Sequence, residues 1–321
     1  MLKRRLLLAL VAALPLTATA QSSWPTHPVK IVVPAPAGSS LDVVARLLGD
    51  KLKDRWGHPV VVENKAGAGG MLGVDVAAKA APDGHTLAVG FNGPIAFAPF
   101  MYKKMPYDPA KDLTPVVMTT LQANVLAVNA ALPVKTPQEF LAYAKRKEGG
   151  IHFASVGQGS SSHLTMELLL AEAGLQGTHV PFNGSPPAGM SVASGQTDAL
   201  VAAAPALLPL AKAGKVRLIA VTGKQRMESL KELPTLAESG LPKVESLIWN
   251  GLFVASGTPD AVVQKINADV NAVLQDPAVK ASFDAQGLAV GGGSVADFRK
   301  VVADDTKRWG EIIQKIGLKL D

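Results

Sequence analysis

The hydrophobic pattern is clearest near the start of the chain, where an apolar run is followed by a loop and then by helical spacing. Val29–Val33 is rich in β-branched residues, which is typical of a buried strand. Residues 34–38 carry two prolines and a glycine, and Ser39 or Ser40 can cap a helix whose apolar face recurs over 43–48. Because the first N–H groups of such a helix point outward, the segment predicts an anion site. An ordinary strand-to-helix turn that binds nothing is the alternative.

The same order of elements recurs in the middle of the chain. Residues 151–156 form a predicted strand, 157–162 a loop of glycines and serines, and 163–173 a helix with leucines on one side. Two such loops, far apart in sequence, predict two α/β units that face one another. Sites in open α/β sheets lie at the carboxyl ends of the strands, where both loops would be.

A third loop is richer in glycine. The predicted strand at 59–63 runs into residues 64–70, and a helix follows. The glycines of this loop do not have the G-x-G-x-x-G spacing of a dinucleotide site, and no P-loop lysine accompanies them. A small anion or a close backbone approach therefore fits this loop better than a bound pyrophosphate.

Strands and helices alternate along the rest of the chain, which predicts parallel sheets. Further strands are predicted at 85–90, 116–120, 124–129, 178–182, 197–201, 216–222 and 247–254, and further helices at 71–81, 136–147, 186–194, 205–213, 259–274, 277–286 and 295–316. The chain is expected to cross between the two units near 121–124 and again near 247–254. The predicted class is thus α/β, with a discontinuous first domain (21–122 and 251–321) and a second domain (123–250) hinged by two segments.

The first twenty residues have the pattern of an export signal. Lys3, Arg4 and Arg5 precede an apolar run too short for a membrane span, and a small-residue site predicts cleavage before Gln21. A membrane anchor is the alternative. The prediction places the mature protein outside the cytoplasm.

Composition narrows the function classes. The chain has 321 residues and a net charge of +6, of which three charges belong to the predicted leader. The remaining basic residues are scattered without aromatic partners, so nucleic acid is not an expected partner. The chain has no cysteine, so its stability cannot come from disulfides.

A search for catalytic chemistry finds little. There is no G-x-S-x-G elbow and no S-x-x-K motif, and the six histidines have no metal-ligand spacing, so neither a metal nor a cofactor is expected. Ser160 with His163 could form a nucleophile and base, which keeps an exported serine hydrolase as an alternative. Loops that present N–H and hydroxyl groups without an acid, base or nucleophile favour a receptor for a small anion over an enzyme.

These motifs together resemble one family over the whole predicted mature chain. They are VKIVVPAPAGSSLDVVARLL, PVVVENKAGAGG, PDGHTLAVG, MPYDPAKDLTPV, FASVGQGSSSHL, VPFNGSPPA, SGQTDA, AVTGKQR and LPTLAESGLP. In this order they are similar to the Bug/TctC-like periplasmic substrate-binding proteins of tripartite tricarboxylate transporters. The resemblance implies two α/β domains that close on a ligand cleft like a Venus flytrap (periplasmic binding protein type II-like). It also implies a small carboxylate ligand, a permease with one large and one small subunit, and a monomer. A sensor role, in which the liganded form is presented to a membrane receptor, stays open.

Residues of the facing loops are the expected ligand contacts. In the first domain these are Pro34, Ala35, Ala37, Gly38, Ser39, Ser40, Asp42, Asn64, Gly67, Ala68, Gly69, Gly70, Phe91 and Asn92. In the second domain they are Gly157, Gln158, Gly159, Ser160, Ser161, His163, Phe182, Asn183 and Ala203.

The chain departs from the family pattern at positions that bear on the ligand. Ala35 stands where the family often has phenylalanine, and Ser39 where it often has glycine. Residues 201–204, Val-Ala-Ala-Ala, stand where it often has an aspartate and an asparagine. These differences predict a roomier, more apolar pocket and a carboxylate ligand with an apolar or aromatic body. An amino-acid ligand is disfavoured, because no acidic partner remains for its ammonium group.

Overall fold

A computed structural model describes residues 24–227 and 230–320. The predicted leader, 1–20, and the cleavage point before Gln21 lie outside the described residues. No helix within the described ranges is long and apolar enough to cross a membrane.

The described chain forms ten strands and eleven α-helices. The strands are β1 (Val29–Val33), β2 (Val60–Asn64), β3 (Thr86–Phe91), β4 (Leu113–Asn129), β5 (Ile151–Ser155), β6 (Gly177–Pro181), β7 (Ala199–Ala203), β8 (Val216–Val221), β9 (Leu247–Ala255) and β10 (Ala289–Val290). The helices are α1 (Ser40–Trp56), α2 (Met71–Ala78), α3 (Ala98–Met101), α4 (Pro109–Asp112), α5 (Pro137–Arg146), α6 (Ser161–Ala173), α7 (Ser185–Ala193), α8 (Ala204–Lys212), α9 (Asp260–Leu274), α10 (Pro277–Asp284) and α11 (Val295–Ile316). A 3₁₀ turn (Ala68–Gly70) precedes α2, and a π-helical turn (Gly93–Phe97) follows β3.

Local sequence explains where these elements begin and end. In α1 the buried Leu41, Val44 and Leu48 recur three and four residues apart, which places them on one face. The Ser39 side chain accepts a hydrogen bond from the Asp42 N–H and caps the start of the helix. Gly57, in the left-handed conformation at φ 65°, ends it.

The strands form a mixed sheet in the order β2–β1–β3–β9–β4–β7–β5–β6, with β8 and β10 also paired to β4. The pairs of β1 with β2 and β3, and of β5 with β6 and β7, are parallel, as the alternation of elements predicts. Strand β9 instead runs antiparallel to both β3 and β4.

One strand links the two halves of this sheet. Strand β4 has 17 residues, whereas the sequence predicted two separate strands there. No glycine or proline stands at 121–123 to break it, and its backbone has partners on both sides. Up to Ala123 it pairs with β9, and from Asn124 onward it pairs with β7 and β8. The part of β9 from Leu247 to Asn250 pairs with residues 120–123 of β4, the part that belongs with the first domain. The predicted division assigned 247–250 to the second domain.

The apolar core lies on the faces of this sheet. One cluster packs α1, α9 and α10 against β1, β3 and β9, and another packs α7 and α8 against β4 and β7. The sequence predicted no strand or helix over 99–115, where the structure has most of α3 and the whole of α4. The packing leaves the carboxyl ends of β1, β5 and β6 facing a common cleft.

Candidate functional site

A pocket lies where the loops after the parallel strands meet, and we call it the cleft pocket. It encloses about 650 Å³ of empty space, its open mouth included. Its walls are Pro34, Ala35, Pro36, Ser39, Ser40, Leu41, Ala66, Gly67, Gly69, Gly70, Phe91, Asn124, Val156, Gly157, Ser161, Ser162, Phe182, Asn183, Gly184, Ser185, Ala202, Ala203, Ile248 and Asn250. None of these residues carries a charged side chain.

Helix N-termini supply the hydrogen-bond donors of the cleft pocket. In α1 the first intrahelical bond is made by the Val43 N–H to the Ser39 carbonyl, so the N–H groups of Ser40 and Leu41 lie ahead of it. Helix α6 repeats this arrangement, with Ser160 as the cap and the N–H groups of Ser161 and Ser162 ahead of the first bond. Two helices of ordinary length therefore direct their positive ends at one pocket, which favours an anion.

A third helix begins at the same place. The first bond of α7 runs from the Ala188 N–H to the Gly184 carbonyl, and Ser185 precedes two prolines that have no N–H. Helix α7 therefore contributes the Ser185 N–H ahead of that bond. The pocket gathers donors from the two sides of the sheet without any cationic side chain.

The loops of the two sides touch across the pocket. A Cβ atom added at Gly69 would lie 2.3 Å from the carbonyl oxygen of Gln158, and one added at Gly184 would lie 2.4 Å from Cδ of Pro36. Only glycine allows such close approach, and both glycines have positive φ angles. The chain is therefore closed around the cleft pocket.

One wall of the pocket is apolar. Ala202 and Ala203 at the end of β7 line it, whereas Ala204, the next residue, does not. Phe91, Phe182 and Ile248 contribute further apolar surface. The Val-Ala-Ala-Ala segment, at which the sequence departs from the pattern of the family that it resembles, therefore does reach the pocket.

Two asparagines of the crossing strands form polar points in the pocket that sequence reasoning did not select. Asn124 and Asn250 are fully buried and line the pocket. Neither polar atom of the Asn124 amide has a hydrogen-bond partner among the described residues. The Oδ1 atom of Asn250 has no partner among them either. Asparagine inside an apolar strand was the available signal, but only the pairing of β4 with β7 and β9 shows which way these residues face.

Several predicted contacts do not line the pocket but support its loops. These are Ala37, Gly38, Asp42, Asn64, Ala68, Asn92, Gln158, Gly159, Ser160 and His163. Ala37, Gly38, Ala68 and Gln158 are exposed at the rim. The others form hydrogen bonds within the protein.

Asp42 and Asn64 form a network behind the first loop. Asp42 accepts hydrogen bonds from the Gly38 N–H at 3.0 Å and from Nδ2 of Asn64 at 2.9 Å, and the same Asn64 nitrogen is 2.9 Å from the Ala35 carbonyl. Burial alone would raise the pKa of the Asp42 carboxyl, but hydrogen bonds from Arg46, Gly38 and Asn64 outweigh it and lower that pKa. An ionised Asp42 therefore orients the loop.

Asn92 is turned away from the cleft. Its Nδ2 donates to the Leu247 carbonyl at 3.0 Å and to Asp305 on α11 at 2.8 Å. The Trp249 indole N–H donates to the same Asp305 oxygen at 2.8 Å. Asn92 was expected to contact the ligand, but it lies outside the pocket lining and ties the end of β3 to β9 and α11.

The geometry of Ser160 and His163 does not suit nucleophilic catalysis. The Ser160 hydroxyl is fully buried and donates to the Gly157 carbonyl at 2.6 Å, while the backbone N–H of His163 donates to it at 3.3 Å. The imidazole of His163 instead accepts the Gly159 N–H on Nδ1 at 3.2 Å. A triad needs the base to take the serine proton, and here the serine caps a helix while the histidine holds a loop.

The fold brings together one cluster that the spacing of histidines did not predict. Candidate metal-binding atoms of His27, Asp83 and His85 lie within 4.8 Å of one another. The two imidazoles are stacked with centroids 3.7 Å apart, so one ion cannot lie in the plane of both rings. The Thr26 N–H also donates to Nε2 of His85, which leaves the proton of a neutral ring on Nδ1, the atom nearest Asp83. In this arrangement the cluster is a packing contact.

Comparison with known proteins identifies the family. Residues 44–318 match the model of the tripartite tricarboxylate transporter family receptor, TctC. The chain belongs to this family. BugT of Bordetella pertussis, a member by name of the same group, is 33% identical over 299 residues, 93% of this chain and 92% of that protein. The predicted resemblance to the Bug/TctC family is confirmed.

Solved structures agree with this placement. The Rhodopseudomonas palustris protein Rpa4515, solved with adipate, has a TM-score of 0.89 and 33% identity over 92% of this chain and 99% of that one. MatC from the same organism, solved with bound malate, has a TM-score of 0.86 and 32% identity over 90% and 100%. The predicted fold class, that of a periplasmic binding protein, is confirmed. TctC receptors are periplasmic and are solute receptors rather than a family of enzymes.

Proposed function

We propose that this TctC receptor binds a small carboxylate with an apolar body in the cleft pocket and delivers it to a membrane permease of the tripartite tricarboxylate type. The observation that carries the proposal is the meeting of three helix N-termini at a pocket whose lining has no charged side chain. Such an environment stabilises one anion through N–H donors and helix dipoles. The adipate and malate in the two related structures support a carboxylate.

The apolar wall restricts the chemical class of the ligand. A wall made of Ala202, Ala203 and Phe182 favours a hydrocarbon body through burial of apolar surface, at roughly 25 cal/mol per Å². An α-amino acid would bring an ammonium group into a pocket without a carboxylate, and burying an unpaired charge is costly. The proposal therefore excludes amino acids as the main ligand.

The two-domain division follows the change of partner along β4. We place the first domain at 24–123 and 247–320 and the second at 124–246, close to the division expected from sequence. The two crossings, at Ala123 and Asn124 on β4 and at the start of β9, would act as the hinge. Export by a cleaved leader, a monomeric state and the permease partnership remain part of the proposal.

A thermal-shift screen tests the binding proposal. The purified protein is heated with aliphatic mono-, di- and tricarboxylates, aromatic acids and amino acids, and hits are measured by calorimetric titration. A ligand that binds only the folded state adds about 2.7 kcal/mol of stability at a hundredfold excess over Kd. The matched control for each hit is its methyl ester, which has the same body without the charge. Shifts with acids and none with esters are expected, and a protein that no acid stabilises would overturn the proposal.

Delivery and catalysis need separate measurements. Deleting the gene should abolish uptake of the identified acid at low concentration, and a plasmid copy should restore it. Prolonged incubation should leave the acid and its ester chemically unchanged. Hydrolysis of the ester that Ser160→Ala abolishes would instead support the hydrolase.

A further inference from the structure

The most unusual polar group in the cleft pocket is the side-chain amide of Asn124. Its residue is fully buried, and neither the nitrogen nor the oxygen of the amide has a partner among the described residues. Buried polar side-chain atoms in folded proteins nearly always have a hydrogen-bond partner. Turning the amide over exchanges its two atoms but leaves one donor and one acceptor in either orientation.

The surroundings of Asn124 explain why the protein itself does not satisfy this amide. Its backbone N–H donates to the Thr222 hydroxyl at 2.9 Å, which fixes the residue in β4. Directly opposite it on β7 is Ala203, whose methyl group can neither donate nor accept. Both residues line the cleft pocket. The amide is therefore the polar point next to an apolar wall.

The chemistry of the amide restricts what can satisfy it. A carboxylate only accepts hydrogen bonds, so it can pair with the amide N–H but repels the amide oxygen. An ammonium group only donates. A neutral hydroxyl donates one hydrogen bond and accepts others, so it can meet both atoms of Asn124.

The other lining residues of the pocket also favour a ligand with one carboxylate and a neutral hydroxyl group. The N–H groups of Ser40, Leu41 and Ser161 are donors only, and they suit the carboxylate of the ligand. No cationic side chain lines the pocket for a second carboxylate. Resting on the proposed function, we propose that the ligand is a hydroxylated monocarboxylic acid and that Asn124 is the residue that selects its hydroxyl group.

This assignment separates the chain from relatives solved with dicarboxylates. A second carboxylate in this pocket would lose its hydration and gain no cationic partner among the lining residues. A hydroxyl loses less on burial and pairs with a group that is otherwise unsatisfied. Sites built to bind a hydroxyl reject the analogue without it strongly, because the protein groups are then left unpaired.

The experiment compares matched acids on two forms of the protein. Calorimetric titrations use butyrate with 3- and 4-hydroxybutyrate, phenylacetate with its 3- and 4-hydroxy derivatives, and adipate and succinate as dicarboxylates without a hydroxyl. The variant is Asn124→Leu, which keeps the number and branching of the side-chain heavy atoms and removes both polar atoms. Asn271→Leu, at an asparagine of α9 that does not line the pocket, is the matched control. Circular dichroism and thermal unfolding check that each variant is folded.

The expected result is a coupling between the ligand hydroxyl and Asn124. In the unmodified protein at least one hydroxylated acid should bind tenfold or more tighter than its parent and tighter than the dicarboxylates. In Asn124→Leu the preference should fall to within about twofold, as expected when each partner loses its interaction, while Asn271→Leu keeps it.

Other outcomes overturn the inference. The inference is rejected if the parent acids bind as tightly as every hydroxylated acid, or if a dicarboxylate binds most tightly. It is also rejected if Asn124→Leu keeps the preference unchanged. None of these results would contradict the proposal that the protein is a carboxylate receptor. If the variant fails to fold, the comparison of ligands on the unmodified protein still tests whether the site prefers a hydroxylated acid. If no acid of either series binds, the inference fails, and if no acid of the wider thermal-shift screen binds either, the proposed function fails with it.

Discussion

The imidazole rings of His163 and His179 are stacked, with centroids 3.6 Å apart and planes within 9° of parallel. His163 accepts the Gly159 N–H, and Nε2 of His179 lies 2.6 Å from the hydroxyl of Ser155, which accepts the Gly157 N–H. The buried ring of His163 and the half-buried ring of His179 therefore hold the loop from Gly157 to Gly159 from behind. Their stack is a support of the cleft pocket.

This stack predicts a loss of stability in acid. Burial, together with the neighbouring His163, lowers the pKa of His179 to about 3 from a usual value of 6.5. Since the unfolded chain takes up this proton first, stability is intact above pH 6.5 and is lost as the pH falls towards 3. Between pH 6.5 and 5 the loss should be about 1 kcal/mol, allowing for partial exposure of the ring.

Urea unfolding at pH 7 and pH 5 measures this loss. His179→Gln should reduce the difference between the two pH values, because its amide does not titrate. His152→Gln, at an exposed histidine on the neighbouring strand, is the control and should leave the difference unchanged. An equal pH dependence in wild type and His179→Gln would show that this ring is not responsible.

Contact between the facing loops predicts that Gly69→Ala weakens ligand binding. The added methyl group would lie 2.3 Å from the Gln158 carbonyl, so the loops must separate. Gly174→Ala is the control, since Gly174 has the same φ of 63° and nothing within 4 Å of the added atom. Both variants should lose about 1 kcal/mol of stability from backbone strain. Only Gly69→Ala should lose tenfold or more in affinity, and equal affinities in titrations of the two would argue against closure at this contact.

The position of Ala203 in the pocket wall predicts that a negative charge there weakens carboxylate binding. Two substitutions of similar size separate this effect of charge from the effect of volume. Ala203→Asp places a carboxylate in a pocket proposed to bind an anion, whereas Ala203→Asn adds nearly the same volume without charge. We expect the aspartate variant to bind carboxylates at least tenfold more weakly than the asparagine variant, because the like charges repel in a partly desolvated site. Titration of both at low and moderate salt measures this. Equal affinities would place the ligand anion away from Ala203.

The network behind the first loop predicts that Asp42→Asn lowers both stability and affinity. The substitution removes the charge that holds the Gly38 N–H and Arg46, so the loop carrying Ala35 loses its support. The expected cost is about 1–2 kcal/mol of unfolding free energy. Asp50→Asn on the same helix removes an exposed carboxylate paired with Lys53 and should cost little. Chemical unfolding and ligand titration of the pair give the comparison, and similar losses in both would reject the role of Asp42.

The Asp42 network, like His179, is expected to lose its contribution to stability as the pH falls. Because hydrogen bonds lower its pKa in the folded state, Asp42 contributes stability above the usual pKa of 3.8, and that contribution is lost as the pH falls through the lowered value. The acid transition of Asp42→Asn should therefore be less steep below pH 4 than that of the wild type. Circular dichroism over pH 2 to 5 detects the change.

Much of the molecule follows from local sequence. The N-caps at Ser39 and Ser160 and the apolar faces of α1 and α11 depend on neighbouring residues, so the loops that start helices at the cleft were predictable. Ser40, Ser161 and Phe182 were expected in the pocket and line it. The parallel pairs followed from the alternation of strands and helices.

What the tertiary structure alone decided is the direction of side chains whose partners are distant in sequence. Asp42, Asn92 and His163 lie in the expected loops, but Asn64, Asp305 and His179 draw them behind the pocket wall. Asn124 and Asn250 were missed because only the partners of β4 and β9 show which strand face meets the cleft. Local sequence determines where helices and turns begin through short-range capping and periodic burial. The lining of a pocket depends on long-range pairing, which no local pattern encodes.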